Sequence, residues 1–443
     1  MENVFRSKLI YIAFVSILGV GIVLTACSPA SAPAPGSSGK ELVMTTPAKG
    51  TESAPSAKAS EKAAPTEAKP SVSGEPIKIG VVTSLTGSQA NFGQAQKRGY
   101  EIALGEINAK GGVDRRKLEL VYEDDASKPE TAMSATEKLI TQDKVPAMMS
   151  PYSSAATLAA AGVADKYETP FLVATSAADN ITEQGYKWVF RICAPSSVYA
   201  STMVDFIADI AKPQTLAIVF ENTNFGTSTA GPAKEIAEKK GIKVVAYEAY
   251  KAGAPDFKPL ITKVKSANPD VVFFVSYLMD ATLLMRQSKE LDFNPKMYTA
   301  GGAGFSMAEF VSESGAGRAA EYTLSVTQWT ADAKWPGAKD FDAKFTELYN
   351  VAPEYHAAEA YAAVYVMADA IKRAGTLDKT KLRDALANTD MNTAFGPIKF
   401  NAQGQNSHPM LITQVQKGTF VTVWPTDAAS ATPVFPTPPW SQR

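Results

Sequence analysis

The chain has 443 residues, with 44 basic against 45 acidic side chains, and 45% of its residues are hydrophobic. A chain of this length can form two or three domains with sizeable cores, and its near-neutral balance excludes a surface that binds nucleic acid or anionic lipid by charge alone. With only 2 Cys and 2 His, it lacks the ligands for a structural zinc site and the cysteines for a disulfide framework.

The first 27 residues have the pattern of a secretory signal. Two basic residues precede an apolar stretch over residues 9–24, which is shorter than the roughly 20 residues that a membrane-spanning helix needs. The stretch ends in the tetrapeptide Leu24 to Cys27, which resembles the bacterial lipobox, where the cysteine becomes the lipidated first residue after cleavage. We therefore expect a lipoprotein signal with Cys27 as the membrane anchor. The alternative is an ordinary cleavage site beside an incidental cysteine.

Residues 28–75 consist mainly of Pro, Ala, Ser, Lys and Thr. Such a segment cannot bury enough apolar surface to offset its ordering entropy, so the composition predicts a disordered tether. A flexible chain of about 50 residues has a reach on the order of 40 Å. That reach would keep a folded body near a membrane but clear of it.

From residue 77 onward, short apolar strands alternate with amphipathic helices. Residues 77–85 read as a buried strand, and the helix after it carries apolar residues at i, i+3, i+4 and i+7 counted from Tyr100. A second series with the same alternation runs from Thr215 to Tyr277. Repeated strand–helix units predict an α/β fold with two doubly wound, mainly parallel sheets, one in each of two lobes.

Hydroxyl groups and glycines follow several predicted strands, where open α/β sheets bind their ligands. Ser153 or Ser154 opens a helix whose free N–H groups and dipole favour an anion. Thr175 and Ala177 follow the next strand and offer further N–H and hydroxyl donors. Together the two loops predict an anion cradle. The alternative for each loop is a helix cap or an ordinary connection.

Three aromatic residues, Phe92, Phe225 and Tyr277, also follow or end strands. A single aromatic residue is more often part of a core, but three at equivalent positions favour the wall of a binding site. The sequence has no serine-hydrolase elbow, P-loop, zinc-protease motif or strand-linked dinucleotide fingerprint. His356 and His408 have no evident nucleophile beside them. We therefore expect a binding protein without a cofactor, and not an enzyme.

Segments spread in order over residues 76–424 resemble the leucine/isoleucine/valine-type solute-binding proteins of bacterial ABC importers, which have the type I periplasmic-binding fold. The matching segments include Ile77–Val82, Leu85–Gly87, Phe92-Gly93, Glu106–Gly112, Leu118–Asp125, Thr182–Tyr186, Phe190-Arg191 and Phe395–Pro397. Their order and spacing make the resemblance specific. It implies a monomeric extracytoplasmic receptor that closes two lobes over a small solute and delivers it to a permease and ATPase complex.

The resemblance also implies three crossings between the lobes, near Pro195, Thr327 and Asn401. Each lobe is then discontinuous. Lobe 1 comprises residues 76–195 and 327–400, lobe 2 comprises residues 196–326 and 401–425, and residues 426–443 form a loose tail.

The same resemblance implies a site in which Ser154, Thr175 and Ala177 hold a carboxylate. Its walls are formed by four aromatic residues: Phe92, Tyr152, Phe225 and Tyr277.

Two positions differ from the amino-acid binders of this family. Ala177 replaces a hydroxyl that contacts the ammonium, and Gly301 or Gly302 replaces an acidic partner, for which Asp280 is a candidate substitute. A buried ammonium without a counter-charge costs several kcal/mol. We therefore expect a small carboxylate, with an aromatic acid favoured by the walls, whereas a branched-chain amino acid is the family default.

A sensory receptor of the same fold and a secreted hydrolase are the alternative functions.

Overall fold

Two β-sheets organise the chain, one in each lobe. A computed structural model describes residues 73–443, so the predicted signal, Cys27 and nearly all of the tether lie outside the described residues. The sheet of lobe 1 has five parallel strands in the order β2-β1-β3-β4-β5. These strands are β1 (Ile77–Thr83), β2 (Leu118–Asp124), β3 (Met148–Met149), β4 (Phe171–Val173) and β5 (Val189–Arg191).

The sheet of lobe 2 has seven strands. The later strands of the chain are β6 (Thr215–Glu221), β7 (Lys243–Tyr250), β8 (Val271–Val275), β9 (Met297–Ala300), β10 (Leu324–Thr327), β11 (Asp390–Thr393), β12 (Gly396–Lys399), β13 (Leu411–Gln416) and β14 (Thr419–Trp424). Their order in the sheet is β14-β13-β10-β9-β8-β6-β7, with β6 to β10 parallel and β13 and β14 antiparallel. Strands β11 and β12 form a separate hairpin.

Helices cover both faces of the sheets, as the burial of the strands requires. All five residues of β8 are buried, which is typical of a parallel strand with both faces covered. The α-helices are α1 (Ala90–Ala109), α2 (Pro129–Thr141), α3 (Ser154–Lys166), α4 (Ser196–Ile210), α5 (Asn224–Lys239), α6 (Lys258–Ser266), α7 (Leu278–Glu290), α8 (Ala308–Val311), α9 (Ala338–Tyr349), α10 (Tyr355–Ala374) and α11 (Lys379–Ala387). Among the helices of residues 73–443, none combines the length and apolarity needed to cross a bilayer. The predicted fold of two doubly wound α/β lobes is confirmed.

Three segments connect the lobes, and the buried residue Gln328, in the second segment, contacts the other two through its side chain and its backbone. Its amide oxygen accepts a hydrogen bond from Ala194 N–H in the first segment, and its backbone oxygen lies 2.8 Å from His408 Nε2 in the third. Its amide nitrogen donates to the hydroxyl of Tyr199 in lobe 2 and to Glu359 Oε1 in lobe 1, the latter at 2.6 Å. Gln328 therefore ties the three connections to both lobes.

The third connection crosses later in the chain than predicted. Gly404 O accepts from Arg191 N–H at 2.8 Å, and Gln405 forms a bridge with the same arginine at the end of β5. The turn after Asn401 thus remains beside lobe 1, and the chain joins the sheet of lobe 2 only at Leu411. The pairing of Gln405 with the end of β5, which a local sequence pattern does not reveal, places the boundary between Gln405 and Leu411 instead of at residue 400.

The C-terminal segment, residues 426–443, is packed and not loose, contrary to the prediction. The backbone of Val434 exchanges hydrogen bonds with the side-chain amide of Gln414 at 2.8 and 3.0 Å. The indole of Trp440 packs against Tyr298 with ring centroids 6.0 Å apart. The Pro-rich composition indicates the absence of regular structure, but its apolar side chains still supply contacts with lobe 2.

His408 should make the stability of the protein depend on pH. The ring is buried and stacked on Phe395 at 4.0 Å. Because the carbonyl of Gln328 can only accept, Nε2 carries the hydrogen of a neutral ring, and burial lowers the pKa of His408 to about 4. An unfolded histidine binds its proton below about pH 6.5. The free energy of unfolding should therefore fall as the pH drops from about 6.5 to 4, by on the order of 3 kcal/mol from this group.

The matched measurement is urea unfolding of the wild type and of His408→Gln at pH 7 and pH 4.5. The variant should lose less stability between the two pH values than the wild type. Equal losses would show that His408 does not carry this dependence.

Candidate functional site

A small cavity lies between the lobes, at the carboxyl ends of strands from both sheets. Its lining residues are Tyr152, Ser154, Thr175, Ser176, Ala177, Tyr199, Phe225, Tyr277, Ala303, Tyr355 and His356. The volume of this cavity is only about 10 Å³, so the two lobes are closed against each other here. A wider groove of about 370 Å³ runs beside the second connection and also reaches Tyr355. We assign the site to the small cavity, because the loops after β3, β4, β6 and β8 converge there.

Two adjacent serines make different contacts at the start of α3. Ser153 Oγ caps the helix by accepting from Ala156 N–H at 3.3 Å. Ser154 Oγ accepts from Ala178 N–H at 3.1 Å, and its own hydrogen has no acceptor among residues 73–443. Ser154 therefore presents a free hydroxyl donor beside the positive end of the helix dipole.

The loop after β4 adds backbone donors. Within the described part of the chain, the N–H groups of Thr175 and Ala177 donate to no acceptor. The hydroxyl of Thr175 is already used, since it accepts from Gln96 Nε2 at 3.0 Å and donates to Tyr152 O at 3.3 Å. The backbone N–H of Thr175 is therefore free, while its side chain joins the loop after β4 to the loop after β3.

Arg191 sets the direction of these donors, although it is fully buried and does not line the cavity. Its guanidinium donates to Ala178 O at 2.6 Å and to Ser176 O at 3.3 Å, and burial lowers its pKa. In a trans peptide the C=O and the following N–H point in opposite directions. Because Arg191 binds Ser176 O, the N–H of Ala177 points away from the arginine and is left for the cavity.

The predicted aromatic residues come together across the lobe boundary. Phe92 stacks on Tyr152 with centroids 4.3 Å apart and meets Tyr277 edge-on at 5.6 Å. Phe225 stacks on Tyr277 at 5.8 Å. Phe92 supports the wall from behind Tyr152, whereas Tyr152, Phe225 and Tyr277 line the cavity themselves.

Two predicted site residues do not line the cavity: Phe92, which packs behind Tyr152, and Gly301. Gly301 continues the edge of β9, where its N–H donates to Phe274 O at 2.9 Å. Ala303, at the start of a 3-10 helix, lines the cavity in its place, and its N–H donates to the hydroxyl of Tyr355 at 3.0 Å. The position was predicted two residues early, because the turn after β9 carries the chain on to Ala303.

Five lining residues were not predicted as ligand contacts: Ser176, Tyr199, Ala303, Tyr355 and His356. Tyr355 and His356 begin α10, whose apolar periodicity and alanine content indicate only a core helix. A polar signal was nevertheless present, since Glu354 caps this helix directly before the two rings.

Apart from His356, no acidic or basic side chain lines the cavity. The carboxylate of Asp280 accepts from Gly253 N–H at 2.9 Å, which turns it toward the loop after β7, so it does not replace the missing acid. Glu221 lies buried beneath Tyr277 and accepts its N–H at 3.2 Å. Burial raises the pKa of Glu221 to about 8, so this carboxyl is uncharged at neutral pH.

Other reactive groups are inert or dispersed. Burial raises the pKa of the Cys193 thiol well above its ordinary range, which leaves the thiol unreactive. Within residues 73–443, no three His, Cys, Asp or Glu side chains are grouped so that they could hold a metal ion.

Two α/β lobes closed over a small cavity with free hydrogen-bond donors define a solute-binding protein. The chain belongs to the periplasmic binding protein family, whose model matches residues 76–419, and membership of this family implies an extracytoplasmic location. It is 29% identical over 369 residues to Leu/Ile/Val-binding protein homolog 7 of Brucella suis. The aligned region covers 80% of this chain and 92% of the relative. It is 30% identical to the leucine-, isoleucine-, valine-, threonine- and alanine-binding protein of Pseudomonas aeruginosa, over 75% of this chain and 88% of the relative.

Solved structures have the same fold. The branched-chain amino acid transporter substrate-binding protein LivJ of Streptococcus pneumoniae, in complex with isoleucine, superposes with a TM-score of 0.72 at 27% identity, covering 78% of this chain and 97% of LivJ. A solute-binding protein of Rhodopseudomonas palustris, in complex with 3,4-dihydroxybenzoic acid, also gives 0.72 at 22% identity, over 78% and 95% of the two chains. The family and these neighbours are solute-binding proteins and not enzymes, in agreement with the prediction.

Proposed function

We propose that this protein is the solute receptor of an ABC importer, which closes its two lobes over a small carboxylate and delivers it to a permease. The observation that carries the proposal is the pairing of free donors on lobe 1 with aromatic walls from both lobes. A solute that touches both lobes stabilises the closed form by the contacts it makes only there. No chemical step on the solute is required.

We propose further that the solute carries no ammonium group. The cavity offers a hydroxyl and backbone N–H groups to an anion but no carboxylate to a cation. The fold alone does not distinguish an amino acid from a carboxylate without an ammonium group, since one neighbour is solved with isoleucine and another with 3,4-dihydroxybenzoic acid. The missing acid favours the non-amino carboxylate, and the aromatic walls favour an aromatic one.

Attachment to the membrane through a lipid on Cys27 completes the proposal. It is supported by the lipobox-like sequence before Cys27 and by the composition of residues 28–75. Mass spectrometry of the mature protein tests it: a diacylated N-terminal cysteine is expected, and an unmodified N-terminus at another residue would reject the anchor.

Ser154→Ala should weaken binding of the solute by roughly 1 to 3 kcal/mol, since it removes a hydroxyl donor to a buried carboxylate. Isothermal titration with the tightest-binding acid of a carboxylate panel measures the change. Ser153→Ala is the matched control. It removes the helix cap and should cost about 1 kcal/mol of stability with little change in affinity. Unchanged affinity in Ser154→Ala would remove this residue from the site.

A further inference from the structure

Three side chains form a hydrogen-bonded chain that ends at the cavity. His356 Nδ1 contacts the carboxylate of Glu354, and His356 Nε2 lies 3.3 Å from the hydroxyl of Tyr152. His356 is 2% exposed and Tyr152 is 4% exposed, and both line the cavity. The rings are held in place, since Phe92 stacks on Tyr152 and meets His356 edge-on at 5.4 Å.

The outer end of this chain fixes which nitrogen of His356 carries the hydrogen. Glu354 caps α10 by accepting from the backbone N–H groups of His356 and Ala357 at 2.8 and 3.2 Å. A carboxylate committed to these donors acts as an acceptor toward the ring as well, so the hydrogen lies on Nδ1. In the neutral ring Nε2 is then an acceptor, and the hydroxyl of Tyr152 donates to it. The remaining lone pairs of the Tyr152 oxygen are available to the cavity.

We propose that Glu354 and His356 orient the Tyr152 hydroxyl as a fixed hydrogen-bond acceptor, so that Tyr152 selects solutes with a neutral donor, such as a hydroxyl, at this point. This inference rests on the proposed function and narrows its solute class from small carboxylates to hydroxyl-bearing ones. Tyr152 contacts the solute, whereas His356 and Glu354 are positioning residues. A solute that places an ether or another acceptor there meets a second acceptor and loses affinity.

The hydrogen positions can be tested without any solute. The whole chain has only 2 histidines, so ¹⁵N-histidine labelling gives two rings, which His356→Gln assigns. At pH 8, where a histidine side chain in a peptide is uncharged, we expect His356 to carry its hydrogen on Nδ1. His408 should carry its hydrogen on Nε2, because it donates to Gln328 O. A hydrogen on Nε2 of His356, or on both of its nitrogens, would overturn the proposal.

A variant pair tests the inner end of the chain. Tyr152→Phe removes the donor to Nε2 and should shift the resonance of that nitrogen in His356. Tyr100→Phe is the control, since Tyr100 is also buried but its hydroxyl has no hydrogen-bond partner among the described residues. Equal spectra of the wild type and Tyr152→Phe would contradict the proposed contact.

Selectivity is measured with hydroxybenzoates and the corresponding methoxybenzoates, titrated into the wild type and Tyr152→Phe. When the substituent is at the ring position that contacts Tyr152, the wild type should bind the hydroxybenzoate about 10-fold or more tightly than the methoxybenzoate. Tyr152→Phe should lose most of this difference in affinity. A preference that is absent, or that survives in Tyr152→Phe, would refute the role of Tyr152. If no carboxylate bound to either protein, the proposed function would fail, while the ring spectra would still decide the orientation of Tyr152.

Discussion

Replacing Arg191 with methionine should abolish solute binding and lower the free energy of unfolding by about 3 to 5 kcal/mol. The guanidinium is fully buried and donates to two carbonyls of the loop after β4, at Ser176 and Ala178, and to the hydroxyl of Thr182 at 3.1 Å. Methionine fills much of the volume but removes the guanidinium donors, so that Ala178 O keeps only the N–H of Ile181 at 3.2 Å and Ser176 O only the weak thiol donor of Cys193 at 3.4 Å. The loop would then be free to rotate its peptides, and the Ala177 N–H would no longer point reliably into the cavity.

Two further variants separate this role from a general effect of losing a charge. Arg191→Lys keeps the charge but cannot span the same acceptors, so it should bind the solute weakly and be intermediate in stability. Arg286→Met removes an exposed guanidinium that donates to carbonyls of Glu313 and Ser314, and it should change both quantities little. Urea unfolding and calorimetric titration measure the two effects. A folded Arg191→Met protein with wild-type affinity would show that the arginine does not organise the site.

The second large effect concerns the charge of the solute. Leucine should bind at least about 100-fold more weakly than 2-hydroxy-4-methylpentanoate, which has the same carboxylate and side chain but no ammonium. Burial of an ammonium without a counter-charge costs several kcal/mol. Three nearby carboxyl groups do not offset this cost. Burial raises the pKa of Glu221 to about 8, Asp280 faces Gly253, and Glu354 is engaged by the backbone and ring of His356.

A competition titration at neutral pH measures this ratio. LivJ of Streptococcus pneumoniae, which is solved with isoleucine, is a useful comparison protein for the same titration. Tighter binding of leucine by the present protein would reject a solute without an ammonium, and the family default would then stand.

Features that depend on local pattern could be predicted from the sequence. The alternation of apolar strands with helices determines the two lobes, because a parallel sheet needs helices on both faces. The loops at Ser154 and Thr175 could be located for a related reason, since strand ends before helices supply free N–H groups. Whether Ser153 or Ser154 was the cap depended on side-chain geometry, which only the structure provides.

Features that depend on distant pairing could not be predicted. Tyr152 and His356 are separated by 204 positions in sequence and meet only because α10 returns to lobe 1. The alanine-rich face of α10 packs against α1. The pattern therefore correctly indicates a core helix, but it gives no sign that the two residues at the start of this helix line the cavity. The packing of the C-terminal segment could not be predicted for the same reason, because the contact of Trp440 with Tyr298 joins residues that are distant in sequence.

Closure of the lobes over an unaltered solute is tested most directly by small-angle X-ray scattering of the purified protein with and without its tightest-binding carboxylate, followed by mass spectrometry of the recovered solute. We expect a smaller radius of gyration in the presence of the solute, because its contacts with both lobes favour the closed form, and a recovered solute of unchanged mass. Identical scattering curves under saturating solute, or a chemically altered solute, would contradict it.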